Sequence, residues 1–294
     1  MSFNFNGVIS AIVTPFKNGK VDYKSLENLV DYQIKNGIQG FVINGTTGES
    51  PTLVKDEIET IFNAVKDASE HKVPLILGTG TNSTEKTIAN NHMAQRLNAD
   101  AVLVVVPYYN KPTQAGLLAH FKAIAEESAK PVILYNVPSR TISALTEESI
   151  VELSKHPKII GIKEASGNIE FALNLRKKCQ KNFLLLSGDD STFLDFMDVG
   201  GNGIISVMSN LMTKAARGFY EDFKAVNMEK AQSDFKRHQN LINAMYSESN
   251  PIPIKWMLHK KNIIATPEMR LPLTTLDPKY YENAESLMRE CKLL

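Results

Sequence analysis

A single lysine closing a buried apolar run is the most informative residue in this chain. Lys163 follows Ile159, Ile160, Gly161 and Ile162. Taking an ammonium out of water is expensive unless it is paired, and burial favours the neutral amine. A neutral amine near pH 7 is a nucleophile for carbonyls and forms Schiff bases. A structural ion pair with Glu164 or Asp189 also accounts for a lysine here. Tyr135 and Tyr109 follow similar runs and supply phenols suited to general acid–base work beside a carbinolamine. Each also fits a packed ring with a satisfied hydroxyl. Thr46-Thr47, between Gly45 and Gly48, offers adjacent backbone N–H groups and two hydroxyls to a small carboxylate; an ordinary capping turn is the alternative. Arg140 can grip a carboxylate in bidentate fashion, or form a surface ion pair.

Other signals are weaker. Gly78-Thr79-Gly80 is a fragment of a dinucleotide fingerprint, with Ser83 in place of the third glycine. Asp189-Asp190 offers metal ligands, or caps for a helix at Ser191. His71, His92, His120, His156, His238 and His259 fall in or just after helical stretches. A metal-dependent aldolase would therefore have no imidazole at a strand end. Ser209-Asn210-Leu211 is not a glycine-rich turn, which disfavours a phosphorylated substrate.

These residues sit at the ends of short β-branched runs: 8–14, 41–45, 75–79, 101–106, 132–136, 159–163, 184–187 and 204–207. Each run is apolar on both faces, as strands of a buried parallel sheet must be. Amphipathic stretches lie between them. Asp22 can cap a helix carrying Leu26, Leu29, Val30 and Ile34 that ends at Gly37. Thr113 can cap one carrying Leu117, Leu118, Phe121, Ile124 and Ala125, and Thr146 opens another with Glu147 and Glu148 favourable to its dipole. Eight strand–helix units in about 225 residues read as a (β/α)8 TIM barrel, whose chemistry sits at the C-terminal strand ends. A doubly wound sheet is the rival, but it usually has fewer strands and a glycine-rich first turn. Beyond the eighth run the chain is helical, with Asn250-Pro251 and Asp277-Pro278 as caps followed by proline at the first helical position. The reading is a catalytic barrel over 1–225 and a helical extension over 226–294 that packs on it.

Composition fits a globular chain and excludes collagen, disorder and coiled coil. The chain has 294 residues, a net charge of +1, 43% hydrophobic and 22% charged residues, which are globular values. A charge near zero gives no footprint for nucleic acid. The apolar run 101–106 is too short to span a bilayer. The opening Met-Ser-Phe-Asn-Phe-Asn-Gly has no basic region before an apolar stretch, so no signal peptide is expected. Cys179 and Cys291 have no ligand spacing, and a reduced, cytoplasmic setting is the default.

Five motifs in order, Gly45-Thr46-Thr47-Gly48-Glu49, Pro107-Tyr108-Tyr109, the run from Tyr135 to Arg140, Gly161-Ile162-Lys163-Glu164 and Ser187-Gly188-Asp189-Asp190, resemble the dihydrodipicolinate synthase family. That family lies within the superfamily that includes N-acetylneuraminate lyase, and the resemblance covers essentially the whole chain. It implies a lyase of the Schiff-base aldolase type that condenses pyruvate with L-aspartate 4-semialdehyde, toward diaminopimelate and lysine. It implies Lys163 as the Schiff-base residue and Tyr135 as its proton shuttle. Thr47 would link Tyr135 to Tyr109 in a proton relay, with Tyr109 reaching in from a neighbouring subunit of a homotetramer. Thr46 and Thr47 would bind the pyruvate carboxylate with backbone groups of Gly188 and Ile205, and Arg140 would receive the semialdehyde's carboxylate. No metal or organic cofactor is implied. Two alternatives remain: a sugar-acid aldolase such as N-acetylneuraminate lyase, against which Thr46-Thr47 and Arg140 speak, and a barrel that binds a keto acid without turnover.

The resemblance also bears on feedback by lysine, which inhibits many members from a cleft between subunits. Ser50, Asn82 and Tyr108 match that cleft. Lys55 and Ile58 stand where inhibited enterobacterial members have histidines, and Lys86 stands where they have a glutamate. Glu85 is next to it but points about 100° away on a helix. An ammonium in place of a carboxylate repels a cationic ligand, so insensitivity is expected.

Overall fold

The computed structural model describes residues 4–294, so the reading of the chain's first three residues lies outside the described part. Eight parallel strands follow one another along it: β1 (Gly7–Ala11), β2 (Phe41–Ile43), β3 (Leu75–Gly78), β4 (Ala101–Val105), β5 (Val132–Asn136), β6 (Ile159–Glu164), β7 (Leu184–Ser187) and β8 (Gly203–Ser206). They close in the order β1-β8-β7-β6-β5-β4-β3-β2. The fold is a (β/α)8 barrel with further helices after the last strand, and closure sets the doubly wound rival aside. Almost every strand residue is buried, which is why the runs are apolar on both faces instead of alternating. Among the described residues no helix is long and apolar enough to cross a membrane.

Two compact units can be distinguished among the described residues: 74–205 with 4–7, and 8–73 with 206–294. In the first, Cα pairing sets Tyr135 beside Lys163 and Asn136 beside Glu164, and Glu164 in turn beside Ser187. A Cβ on Gly80 would lie 2.3 Å from the Val105 nitrogen. Close packing against β4, not dinucleotide binding, explains a glycine in Gly78-Thr79-Gly80. Helix caps form where the sequence offers them: the Gly116 N–H donates to Thr113 Oγ1 at 3.2 Å, and the Ser149 N–H to Thr146 Oγ1 at 3.3 Å. Leu117, Phe121, Ile124 and Ala125 then face inward, fully buried, each large side chain contributing about 1.5–3 kcal/mol.

In the second unit the Ser25 N–H donates to Asp22 at 3.1 Å. The helix Tyr23–Lys35 that it caps buries Leu26, Leu29 and Val30. Gly37, at φ 82°, turns the chain back, a conformation that a side chain would strain. The helix Ser209–Lys224 is stitched to β1 through Asn210, whose amide donates to the Ala11 carbonyl at 2.9 Å and accepts from the Val13 N–H at 3.2 Å. Asp277 caps as expected, with Pro278 opening the turn Pro278–Tyr280. Asn250 does not. The helix Ile252–Lys260 starts one residue later, with Pro251 at the cap position, and the Asn250 side-chain nitrogen donates to Thr47.

Candidate active site

Lys163 is the penultimate residue of β6 and is 7% exposed, as is Tyr135 on the adjoining strand. Their register brings the lysine Nζ to 4.4 Å from the centroid of the Tyr135 ring. A cation over an aromatic face gains about 0.5–2 kcal/mol, more as water is excluded. The two carboxylates that offered an ion pair are engaged elsewhere. Side chains alternate along a strand, so Glu164 faces away from Lys163. It accepts from Asn136 Nδ2 at 2.9 Å and from the Ser166 N–H at 2.6 Å. Burial nevertheless pushes its carboxyl above the ordinary range. The Asp189 carboxylate accepts from the Ser191 N–H at 2.7 Å and its hydroxyl at 2.6 Å. It shapes the approach to the helix Phe193–Asp198, which begins after Ser191.

Gly188 follows β7, and its N–H donates to the Glu164 carbonyl at 2.7 Å. A Cβ there would stand 2.5 Å from the Ala165 Cβ and 2.9 Å from the Lys163 Cε. The lysine stem therefore lies across the one position where its neighbour has no side chain. An amine, a phenol and a bare backbone meet at this point, and that set can attack a carbonyl and move protons at the carbon it attacks.

The other expected residues of this unit lie after β4, after β5 and in β8. Tyr109 follows β4 on a tight turn in which the Asn110 N–H donates to the Tyr108 carbonyl at 2.9 Å. Tyr109 is 85% exposed, with φ at 73°, which is strained for an aromatic residue. Arg140 is exposed on the helical turn Pro138–Thr141. Ile205 is buried in β8.

Thr46 and Thr47 belong to the second unit, in the 3-10 turn Thr46–Gly48 after β2. The Gly48 N–H donates to the Gly45 carbonyl and the Glu49 N–H to the Thr46 carbonyl, both at 3.0 Å. Thr14 adds its hydroxyl to the Gly48 carbonyl at 2.8 Å. Glu49 ends the turn in the left-handed region, at φ 57°. Thr47 and Glu49 are buried, and both are held from far along the chain. Asn250 Nδ2 donates to Thr47 Oγ1 at 3.0 Å. Lys255 Nζ donates to Glu49 Oε1 at 2.7 Å, with both side chains inaccessible, and the Arg270 N–H donates to Glu49 Oε2 at 3.1 Å. Phe16 lies beneath the two cations, 4.4 Å from each. Burial pulls the Lys255 ammonium below its ordinary range, against the pull of Glu49.

Lys255 and Arg270 were not among the residues singled out by type and spacing, and Asn250 was read only as a helix cap. Lys255 carried a usable signal: like Lys163, it interrupts an apolar run, here from Ile252 to Leu258. No group of three or more His, Cys, Asp and Glu residues forms a metal-binding cluster among the described residues.

A model of the dihydrodipicolinate synthetase family matches residues 4–291. The 4-hydroxy-tetrahydrodipicolinate synthase of Bdellovibrio bacteriovorus is 45% identical over 289 residues, covering 98% of each chain. The dihydrodipicolinate synthase of Acinetobacter baumannii, solved with pyruvate, superposes with a TM-score of 0.96 at 41% identity, over 99% of this chain and 100% of that one. A solved structure described as the first monomeric dihydrodipicolinate synthase variant gives a TM-score of 0.97 at 39% identity, over 99% of this chain and 98% of that one.

Proposed function

This chain belongs to the dihydrodipicolinate synthetase family, and on that premise we propose that it condenses pyruvate with L-aspartate 4-semialdehyde, as a 4-hydroxy-tetrahydrodipicolinate synthase in the diaminopimelate route to lysine. The observation that carries this reading is the contact of the buried Lys163 amine with the Tyr135 ring and the bare backbone of Gly188. The amine adds to the keto carbon of pyruvate. Tyr135 delivers a proton to the carbinolamine hydroxyl, which leaves as water, and the iminium remains on Lys163. The Tyr135 phenolate then takes a methyl proton, giving an enamine whose carbon attacks the aldehyde. The protonated imine is itself the electron sink, so the step draws on no metal or organic cofactor.

The remaining roles follow the family's pattern. Thr46 and Thr47 receive the pyruvate carboxylate with backbone groups of Gly188 and Ile205, Thr47 and Tyr109 pass protons with Tyr135, and Arg140 takes the semialdehyde's carboxylate. Tyr109 serves the site of a neighbouring subunit in a homotetramer built from two dimers. Its 85% exposure on a strained backbone favours this, since a large ring held so in water is otherwise unexplained. The chain works in the cytoplasm as a barrel over 1–225 carrying a helical extension over 226–294.

Borohydride reduction in the presence of pyruvate tests the chemistry. A pyruvate-derived mass on Lys163, absent from Lys163→Ala, is the expected result; an unlabelled lysine would leave a keto-acid-binding barrel. Turnover with aspartate semialdehyde and none with N-acetylmannosamine is expected of the acceptor. The opposite preference would make the chain a sugar-acid aldolase.

A further inference from the structure

We infer that Asn250 is a positioning residue that fixes the direction in which the Thr47 hydroxyl donates its proton. The inference rests on the role proposed for Thr47 above. A threonine hydroxyl has one proton and two lone pairs, and it rotates to suit its neighbours. The nitrogen of a side-chain amide only donates. With Asn250 Nδ2 3.0 Å away, Thr47 Oγ1 is the acceptor in this bond, so its own proton must point to another partner. Both side chains are shielded from water, Thr47 at 3% and Asn250 at 6% exposure, so solvent does not compete for the lone pair.

The backbone leaves little slack in this arrangement. Thr47 sits inside a 3-10 turn closed by two backbone hydrogen bonds, and its β-branched side chain has few rotamers. The segment that brings in Asn250 grips the same turn a second time, through Lys255 on Glu49. A hydroxyl anchored at its oxygen and oriented at its proton is ready to donate without reorganising, the condition under which proton transfer is efficient.

Two sets of variants test the assignment. In Asn250→Asp the new carboxylate accepts where the amide donated, so the Thr47 proton is drawn into the wrong bond. At pH 8 kcat should fall by about 100-fold, the scale of one acid–base group. KM for pyruvate should change far less, and the borohydride-trapped adduct on Lys163 should still form. Protonation restores a donor at residue 250, so the kcat deficit should shrink as pH falls. A deficit that is flat with pH would overturn the proposal.

The second set is a double-mutant cycle of Asn250→Ala and Thr47→Val, with folding checked by circular dichroism. Asn250→Ala should lower kcat by roughly ten-fold in the wild-type background and leave it nearly unchanged in Thr47→Val, because the group it orients is gone. The same loss in both backgrounds would mean that Asn250 only supports the fold, and would overturn the proposal even if Asn250→Asp cannot be purified. Failure of the wild type to form the pyruvate adduct would overturn the reaction reading and this inference together. An active wild type with an additive cycle would overturn this inference alone.

Discussion

Replacing Gly188 by alanine should separate the stability of the barrel from the reactivity of Lys163. The added methyl would meet the Ala165 Cβ at 2.5 Å and the Lys163 Cε at 2.9 Å, where ordinary contact begins at 3.4 Å. The first overlap is nearly an ångström. It cannot be relieved by a side-chain rotation, because Ala165 has no rotatable chain and its N–H is bonded to the Asn136 carbonyl. The second is about half an ångström, and the lysine stem can swing to relieve it, carrying the amine off its position over Tyr135. Overpacking of this kind costs about 1–3 kcal/mol. Misplacing a reacting group by an ångström costs about 100-fold in rate, so half of that displacement should cost roughly ten-fold in adduct formation. The assay is a time course of borohydride-quenched samples with pyruvate, read by mass spectrometry at Lys163, beside a thermal melt. In the double variant Gly188→Ala with Ala165→Gly, the larger overlap is removed and the contact with Cε is kept. Its melting temperature should recover while adduct formation stays slow. A double variant that regains both, or a Gly188→Ala protein that forms the adduct at the wild-type rate, would refute the reasoning.

Lys255→Met should destabilise the protein by about 3–5 kcal/mol by leaving Glu49 buried without its cation; Lys255→Met with Glu49→Gln should lose less, and chemical denaturation compares the two. Glu164→Gln puts an amide nitrogen against one of two donors, Asn136 Nδ2 or the Ser166 N–H, at a cost of about 1–3 kcal/mol. The Glu164 carboxyl titrates higher in the folded chain than in the unfolded one. The folded state therefore holds the extra proton in that window, and wild-type stability from this group falls as pH rises through it. The wild type's margin over Glu164→Gln in denaturant titrations should accordingly be wider at pH 5 than at pH 7, and a margin that widens upward would contradict the assignment. Arg140→Ala should raise KM for aspartate semialdehyde far more than KM for pyruvate, since a lost bidentate clamp on a carboxylate is worth a few kcal/mol; equal damage to both would make the arginine structural. L-Lysine at millimolar concentration should leave the rate unchanged, because exposed Lys55 and Lys86 repel its ammonium groups; saturable partial inhibition would show that Ser50, Asn82 and Tyr108 suffice.

What could be read in advance was whatever one short window of residues determines. The strands were legible because a buried parallel strand is apolar on both faces, and the helix starts because Asp22, Thr113 and Thr146 cap with their own side chains. Lys163 was legible as a charge out of place in such a strand. The support of the Thr46–Gly48 turn was not. Asn250 before proline resembles a helix cap, and nothing within a few residues of it signals that its amide is spent on Thr47. Arg270 presents an exposed-looking sequence context, yet its backbone N–H and its guanidinium are bound to Glu49 and Glu57 respectively. Such pairings exist only once the chain has closed on itself.

The Glu49–Lys255 bond joins residues 206 positions apart, and the Arg270 N–H that completes the carboxylate's partners lies 221 positions on. A ribosome adding residues at ~5–20 per second needs about 10–40 s to travel from the first of these to the last. Until Lys255 is made Glu49 has neither donor, and burying a lone charged carboxylate is prohibitive. The Glu49 carboxylate must therefore stay solvated while most of the strands are already made, and it can be buried only when the final part of the chain arrives. A prematurely terminated product that stops before Lys255 thus carries Thr46, Thr47 and the local bonds of their turn but lacks the cation that lets Glu49 be buried, so the burial of this turn is completed only with the end of synthesis.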